Sequence, residues 1–172
     1  MVSIAFAFLL IFSLMAGNGT ITVELLLSTG VLFGFWVLNS RYFRGKKAAV
    51  FMGDAGSMFL GFMLAWYFIS LSQGEERLLA PVTTLWIFAL PLFDTVGIML
   101  RRIVRGRSPF AADREHLHHI LIHAGFSVCK TVTIMLLMAV TLGTIGLLGE
   151  IYGVPEGVMF WSFIAVSYTH LT

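Results

Sequence analysis

Four of the chain's five histidines, His116, His118, His119 and His123, lie in the stretch REHLHHILIH at residues 114–123. An imidazole changes charge near neutrality and binds metals, so such a cluster can serve a metal or an anion. On a helix, His116, His119 and His123 are spaced i, i+3 and i+7 and share one face. That spacing can hold zinc, which in catalytic sites takes three protein ligands. It also fits a solvated basic stripe near lipid headgroups. Arg105, Arg107 and Arg114 surround the cluster. Guanidinium groups repel a bare cation and fork onto phosphate oxygens, so charge favours an anion over zinc.

Two carboxylates accompany the histidines. Asp54 lies in VFMGDAGSMFLGF, residues 50–62, flanked by Gly53 and Gly56. Those glycines permit unusual backbone geometry and close approach. A carboxylate at the mouth of an apolar segment suits Mg²⁺, which takes a few carboxylates together with substrate phosphates. Taken alone, Asp54 reads more simply as a helix N-cap, with Gly56 and Ser57 at the helix start. Asp94 lies inside the apolar run PLFDTVGIML, seven positions before Arg101. An ionisable group there is a functional hypothesis by default, with snorkelling to the interface or pairing with a neighbouring helix as the competing readings. Pro91 could kink that segment. Glu24 is placed near the outer end of its segment, where exposure at the interface suffices. Trp36, Trp66, Trp86 and Trp161 read as belt or packing residues. A single cysteine, Cys129, excludes an internal disulfide and a four-cysteine zinc site.

The elements that must carry these groups are apolar. The chain has 172 residues, 58% of them hydrophobic and 12% charged, and its mean hydropathy is +0.91. A soluble domain of this size cannot hide so much apolar surface, whereas a membrane protein exposes it to lipid. The opening MVSIAFAFLLIFSLMAGNG lacks the basic n-region of a secretion signal and reads as a membrane helix. About six apolar segments follow one another, near 2–17, 21–39, 56–72, 81–100, 131–149 and 157–166, most of them close to the roughly 20 residues that span a bilayer. GNGT, SQGEER and EIYGVPEG separate them with turn residues. The fold expected is all-α: a polytopic membrane helical bundle of about six transmembrane segments, forming one integral membrane domain over residues 1–172.

Arg41, Arg44, Lys46 and Lys47 fall in one interval, and Arg101, Arg102, Arg105, Arg107, Arg114 and Lys130 in another. The other intervals carry Glu75, Glu76, Glu150 and Glu156, with Arg77 their one base. Positive loops stay cytoplasmic, which puts residues of about 40–55 and 101–130 and the N-terminus on the cytoplasmic side. The histidine cluster therefore faces the cytoplasm. Residues 113–124 read as a short helix stopped by Gly125. An anion site with one or two carboxylates beside lipid suits a phosphorylated substrate.

VFMGDAGS, PLFDT and SPFAADREHLHH, in that order, resemble the C-terminal half of bacterial polyprenyl-phosphate N-acetylhexosamine-1-phosphate transferases. The His-Leu-His-His form after SPF and Asp-Arg resembles the N-acetylglucosamine branch. The related phospho-N-acetylmuramoyl-pentapeptide branch tends to carry a run of histidines instead. The resemblance covers roughly residues 1–163. It implies attack of a polyprenyl phosphate, such as undecaprenyl phosphate, on the sugar-linked phosphorus of a UDP-sugar. UMP leaves, in the first membrane step of cell-envelope polysaccharide synthesis, as for O-antigen, enterobacterial common antigen or teichoic acid linkage units. It further implies Mg²⁺ (or Mn²⁺) held by Asp54 as the catalytic residue, with Gly53 and Ser57 beside it. His116, His118 and His119 would hold the donor phosphates, with Arg114 as a further phosphate partner. Asp94 matches a Pro-x-x-Asp feature of unassigned role, and His123 lies outside the motif. The implied location is a multi-pass protein of the bacterial inner membrane with a cytoplasmic active face. A homodimer is left open, and no nucleic-acid partner is expected.

The family's early Asp-Asp pair and Asp-Gly-x-Asp-Gly segment are absent from these residues, and its members have about ten or eleven membrane helices. The chain is therefore expected to be a C-terminal fragment, inactive alone. AVSYTHLT at the other end reads as a truncated frame or foreign sequence, so His170 is set aside. Two other classes stand beside the transferase: a metal-binding or metal-transport membrane module, and a non-catalytic anchor or assembly subunit.

Overall fold

A computed structural model describes residues 1–39, 49–74, 77–104, 106, 108 and 116–171. Among these residues there are eight helices and no strand. They are α1 (Val2–Met15), α2 (Gly19–Asn39), α3 (Gly53–Ser72), α4 (Pro81–Ile87), α5 (Ala89–Val104), α6 (Leu117–His123), α7 (Val128–Ile151) and α8 (Glu156–Leu171). The all-α expectation holds. The basic interval with Arg41, Arg44, Lys46 and Lys47, together with Glu75, Glu76, Arg105, Arg107 and Arg114, lies outside the described residues.

The expected six spans are too many. Among the described residues three helices, α2, α3 and α7, are long and apolar enough to cross a membrane, and a fourth span arises if α4 and α5 count together. At about 1.5 Å per residue, the 14-residue α1 reaches about 21 Å, short of the roughly 30 Å hydrocarbon core. The 16-residue α8 is also short. The segment expected at 81–100 is broken at Phe88, where α4 and α5 meet at 82°. Pro91 causes this break. It has no N–H to give the Ile87 carbonyl, and its ring crowds that carbonyl.

The chain forms two compact units, Met1–Thr84 and Leu85–Thr172. In the first, α1 packs on α2 and α3. Ala5, Phe6, Leu9, Leu25 and Leu64 are buried between them, and the Phe6 ring meets Tyr67 edge-on at 6.0 Å. Asn18 starts α2 by accepting the Ile21 N–H at 3.2 Å, as the GNGT break predicts. Ser13 is fully buried, but its hydroxyl pairs with Thr22 at 2.7 Å. Glu24 is not left to the interface alone: the Tyr67 hydroxyl donates to its carboxylate at 3.1 Å.

In the second unit, α5 packs on α7 and α8, and α6 on α7. The Trp86 indole donates to the Met159 carbonyl at 3.1 Å, and its ring meets Phe163 at 5.7 Å. Phe93 meets the same Phe163 at 4.8 Å. Gly149 admits the Met159 side chain: a Cβ there would stand 2.5 Å from the methionine methyl. Of the tryptophans, Trp86 is core, whereas Trp66 and Trp161 are exposed.

Candidate functional site

The histidine helix is shorter than the 113–124 expected. It runs from Leu117 to His123, with His116 as its N-cap residue in extended geometry (φ −64°, ψ 147°). Residues 113–115 lie outside the described residues. The C-terminal end is as expected. Gly125 takes φ +92°, a conformation that costs a Cβ-bearing residue about 1–2 kcal/mol. Its N–H bonds the Ile122 carbonyl at 3.0 Å, and the Phe126 N–H bonds the Leu121 carbonyl at 3.2 Å. These two bonds make a Schellman stop. Ser127 then caps α7, accepting the Lys130 N–H at 3.4 Å.

His116 does not share a helical face with His119 and His123, because it stands before the first helical residue. Its ring instead lies parallel to that of His118, centroids 5.8 Å apart. His118 in turn meets His119 at 4.1 Å. The three rings form a half-exposed row, while His123 is exposed at the far end of α6. Among the described residues, no three His, Cys, Asp or Glu side chains are grouped so as to hold a metal ion.

The row is tied to α5 by Asp94. One carboxylate oxygen is 2.9 Å from Nδ1 of His116, and the other accepts the Leu117 N–H at 2.8 Å. Asp94 thus supplies the cap that α6 has no side chain of its own to make. Of the readings open from sequence, pairing with a neighbouring element is the one the structure shows. Sequence reasoning marked Asp94 but missed its partner. The signal available was an acidic group in an apolar run, upstream of a histidine cluster in the same basic region. Leu90, Phe93, Asp94, Arg101, Leu117 and Ile120 line a cavity of about 60 Å³ beside this contact.

Asp54 belongs to the other unit. It is not the N-cap, a position held by Met52; it lies in the first turn of α3. Gly53 precedes it with φ +70°, a backbone only glycine adopts freely. The Ser57 hydroxyl turns back to the Asp54 carbonyl at 2.9 Å. The Asp54 carboxylate is exposed, and no partner engages it among the described residues. An acidic group in a helix's first turn is stabilised by the exposed N–H groups there. Arg114 lies outside the described residues.

Comparison with known proteins bears out the resemblance. Residues 1–72 match the family described as glycosyl transferase family 4. An undecaprenyl-phosphate alpha-N-acetylglucosaminyl 1-phosphate transferase of Pasteurella multocida is 40% identical over 136 residues, 79% of this chain and 38% of the relative. The enzyme of the same name from Escherichia coli K12 is 42% identical over 127 residues, 73% of this chain and 35% of the relative. That of Haemophilus influenzae is 41% identical over 127 residues, 74% and 36% respectively. The chain thus spans less than two fifths of the length of these relatives. No solved structure matches it.

Proposed function

We propose that this chain, similar over most of its length to family 4 N-acetylglucosaminyl 1-phosphate transferases, supplies the donor-phosphate site of such an enzyme. The reaction is transfer of N-acetylglucosamine 1-phosphate from a UDP-sugar to undecaprenyl phosphate, with release of UMP. The observation that carries this reading is the row of His116, His118 and His119 rings, held half-exposed at the start of an anchored helix. Ring N–H groups in a row suit the oxygens of a diphosphate, and a charged imidazole donates from both nitrogens. Arg114 would add a forked contact to the same oxygens. The acceptor is a lipid phosphate, which the exposed apolar surfaces of α2 and α3 suit.

Asp54 is the residue proposed to hold Mg²⁺ (or Mn²⁺). Its carboxylate is exposed and unengaged among the described residues. Mg²⁺ commonly binds one or two carboxylates and completes its shell with waters and substrate phosphates. When bound, the ion would neutralise phosphate charge during transfer. Gly53 and Ser57 act on Asp54 through the backbone, one setting the turn before it and the other bonding its carbonyl. The enzyme would lie in the bacterial inner membrane with its active face cytoplasmic, since the basic residues concentrate in the two intervals that hold these groups.

The test is a chimera in which this chain replaces the matching segment of the E. coli relative. Membranes carrying it are assayed for transfer of labelled sugar phosphate from UDP-N-acetylglucosamine to undecaprenyl phosphate. Transfer that is lost with a chelator and restored by Mg²⁺ is the expected result. A chimera that inserts and purifies as a single species yet transfers nothing overturns the reading.

A further inference from the structure

We infer that Asp94 is a positioning residue that presents Nε2 of His116 to the donor phosphate and sets whether that nitrogen carries a proton. The inference deepens the transferase reading and rests on it for the identity of the ligand. A carboxylate only accepts hydrogen bonds. At 2.9 Å from Asp94, Nδ1 of His116 must therefore carry a proton. This holds whether the ring is neutral or charged, so Nε2 is the nitrogen left for the donor, and it donates to a phosphate oxygen when the ring is charged.

The second oxygen of the same planar group takes the Leu117 N–H at 2.8 Å. One planar carboxylate thus holds two consecutive residues, orienting the His116 ring through Nδ1 and the start of α6 through the Leu117 N–H. The Asp94 side chain is 18% exposed and the His116 side chain 40% exposed, so the contact is sheltered while the far edge of the ring stays open. His116 begins the row of rings that continues to His118 and His119. Fixing the first ring therefore places the row. Metal-binding imidazoles that lose their outer carboxylate typically lose 10- to 100-fold in affinity or activity, and by the same orienting logic a loss of that order is expected here.

Asp94→Asn separates positioning from simple support of the helix. The asparagine oxygen can still accept the Leu117 N–H. Its NH₂ must then donate to Nδ1 of His116, which drives the ring proton to Nε2. The helix start is kept, the tautomer is inverted, and the ring, with Nδ1 now accepting, is held uncharged where it meets the phosphate. The first measurement is ¹⁵N NMR of the histidine-labelled chain in detergent, with the His116 signals assigned by their loss in His116→Gln. The unsubstituted chain should show neutral His116 protonated at Nδ1, and Asp94→Asn should show it protonated at Nε2. The second measurement is turnover of the E. coli chimera, where Asp94→Asn should lower kcat by roughly 10- to 100-fold without loss of folded protein.

A His116 tautomer unchanged by Asp94→Asn overturns the inference whatever the chimera does. An inverted tautomer with unchanged turnover also overturns it, because the nitrogen at issue then does not serve the reaction. If the unsubstituted chimera is inactive, the transferase reading falls instead, and the NMR result alone decides whether Asp94 sets the tautomer.

Discussion

Asp54 at the start of one apolar run and Asp94 inside another are both acidic, yet the protein uses them in opposite ways. Asp54 stands in the first turn of α3 with its carboxylate exposed and unengaged among the described residues. Asp94 spends both oxygens on its own chain, one on His116 and one on Leu117. A carboxylate left open in a membrane protein is available to a ligand. One that is fully occupied is part of the scaffold that aims other groups. The two should therefore fail differently when replaced, one in chemistry and the other in both chemistry and folding.

The largest effect expected is that of Asp54→Asn on the chimera. Turnover should fall to background, while the thermal midpoint of the detergent-solubilised protein stays within about a degree of the parent. A surface change of this kind alters stability by no more than about 0.5 kcal/mol. Retained turnover would take Asp54 out of the chemistry and dissolve the contrast. Asp94→Ala should cost about 2 kcal/mol, the sum expected for a lost helix cap and a hydrogen bond to a charged group. Denaturation of the two alanine variants side by side checks this, and equal stability for Asp54→Ala and Asp94→Ala would remove the distinction.

Gly53→Ala sharpens the comparison from the backbone. It forces φ +70° on a residue with a Cβ, at about 1 kcal/mol. Because it displaces Asp54 rather than deleting it, Mg²⁺ should still support turnover but at a higher half-saturating concentration. The smallest effect belongs to a third acid. Tyr67→Phe removes the hydroxyl that donates to the Glu24 carboxylate and should lower stability by about 1 kcal/mol without changing turnover. A loss of turnover there would show that Glu24, too, serves the reaction.

The sequence revealed different things with different clarity. Helix ends were legible because their chemistry is local: Gly17, Gly125 and Gly153 take positive φ where turns were expected. The break ahead of Pro91 was legible for the same reason. The number of spans was not. Hydropathy registers an apolar run whether its helix is 14 or 24 residues long, and a bend at residue 88 leaves composition unchanged. The histidines were legible as a cluster but not as a geometry. Helical spacing put His116 on a face with His119 and His123, and a tertiary contact with Asp94 set it in extended backbone instead. The Asp54 cap reading failed on one local detail, since Gly53 adopts the left-handed turn and Met52 takes the cap position.

The fastening of α6 at both ends has a thermodynamic consequence. A helix of seven residues is far below the roughly 12–15 needed for stability alone, because nucleating it fixes several residues for few hydrogen bonds. Here Asp94 holds its first N–H, and the Gly125 stop satisfies its last carbonyls. The ordering entropy of the histidine segment is therefore met when the chain folds and not when a ligand arrives. A ligand that meets a preordered segment keeps more of its contact energy as affinity, since each side chain it would otherwise immobilise costs about 0.5–1.5 kcal/mol. Histidines hung on a loose loop could make the same contacts with a ligand, but would hold it more weakly.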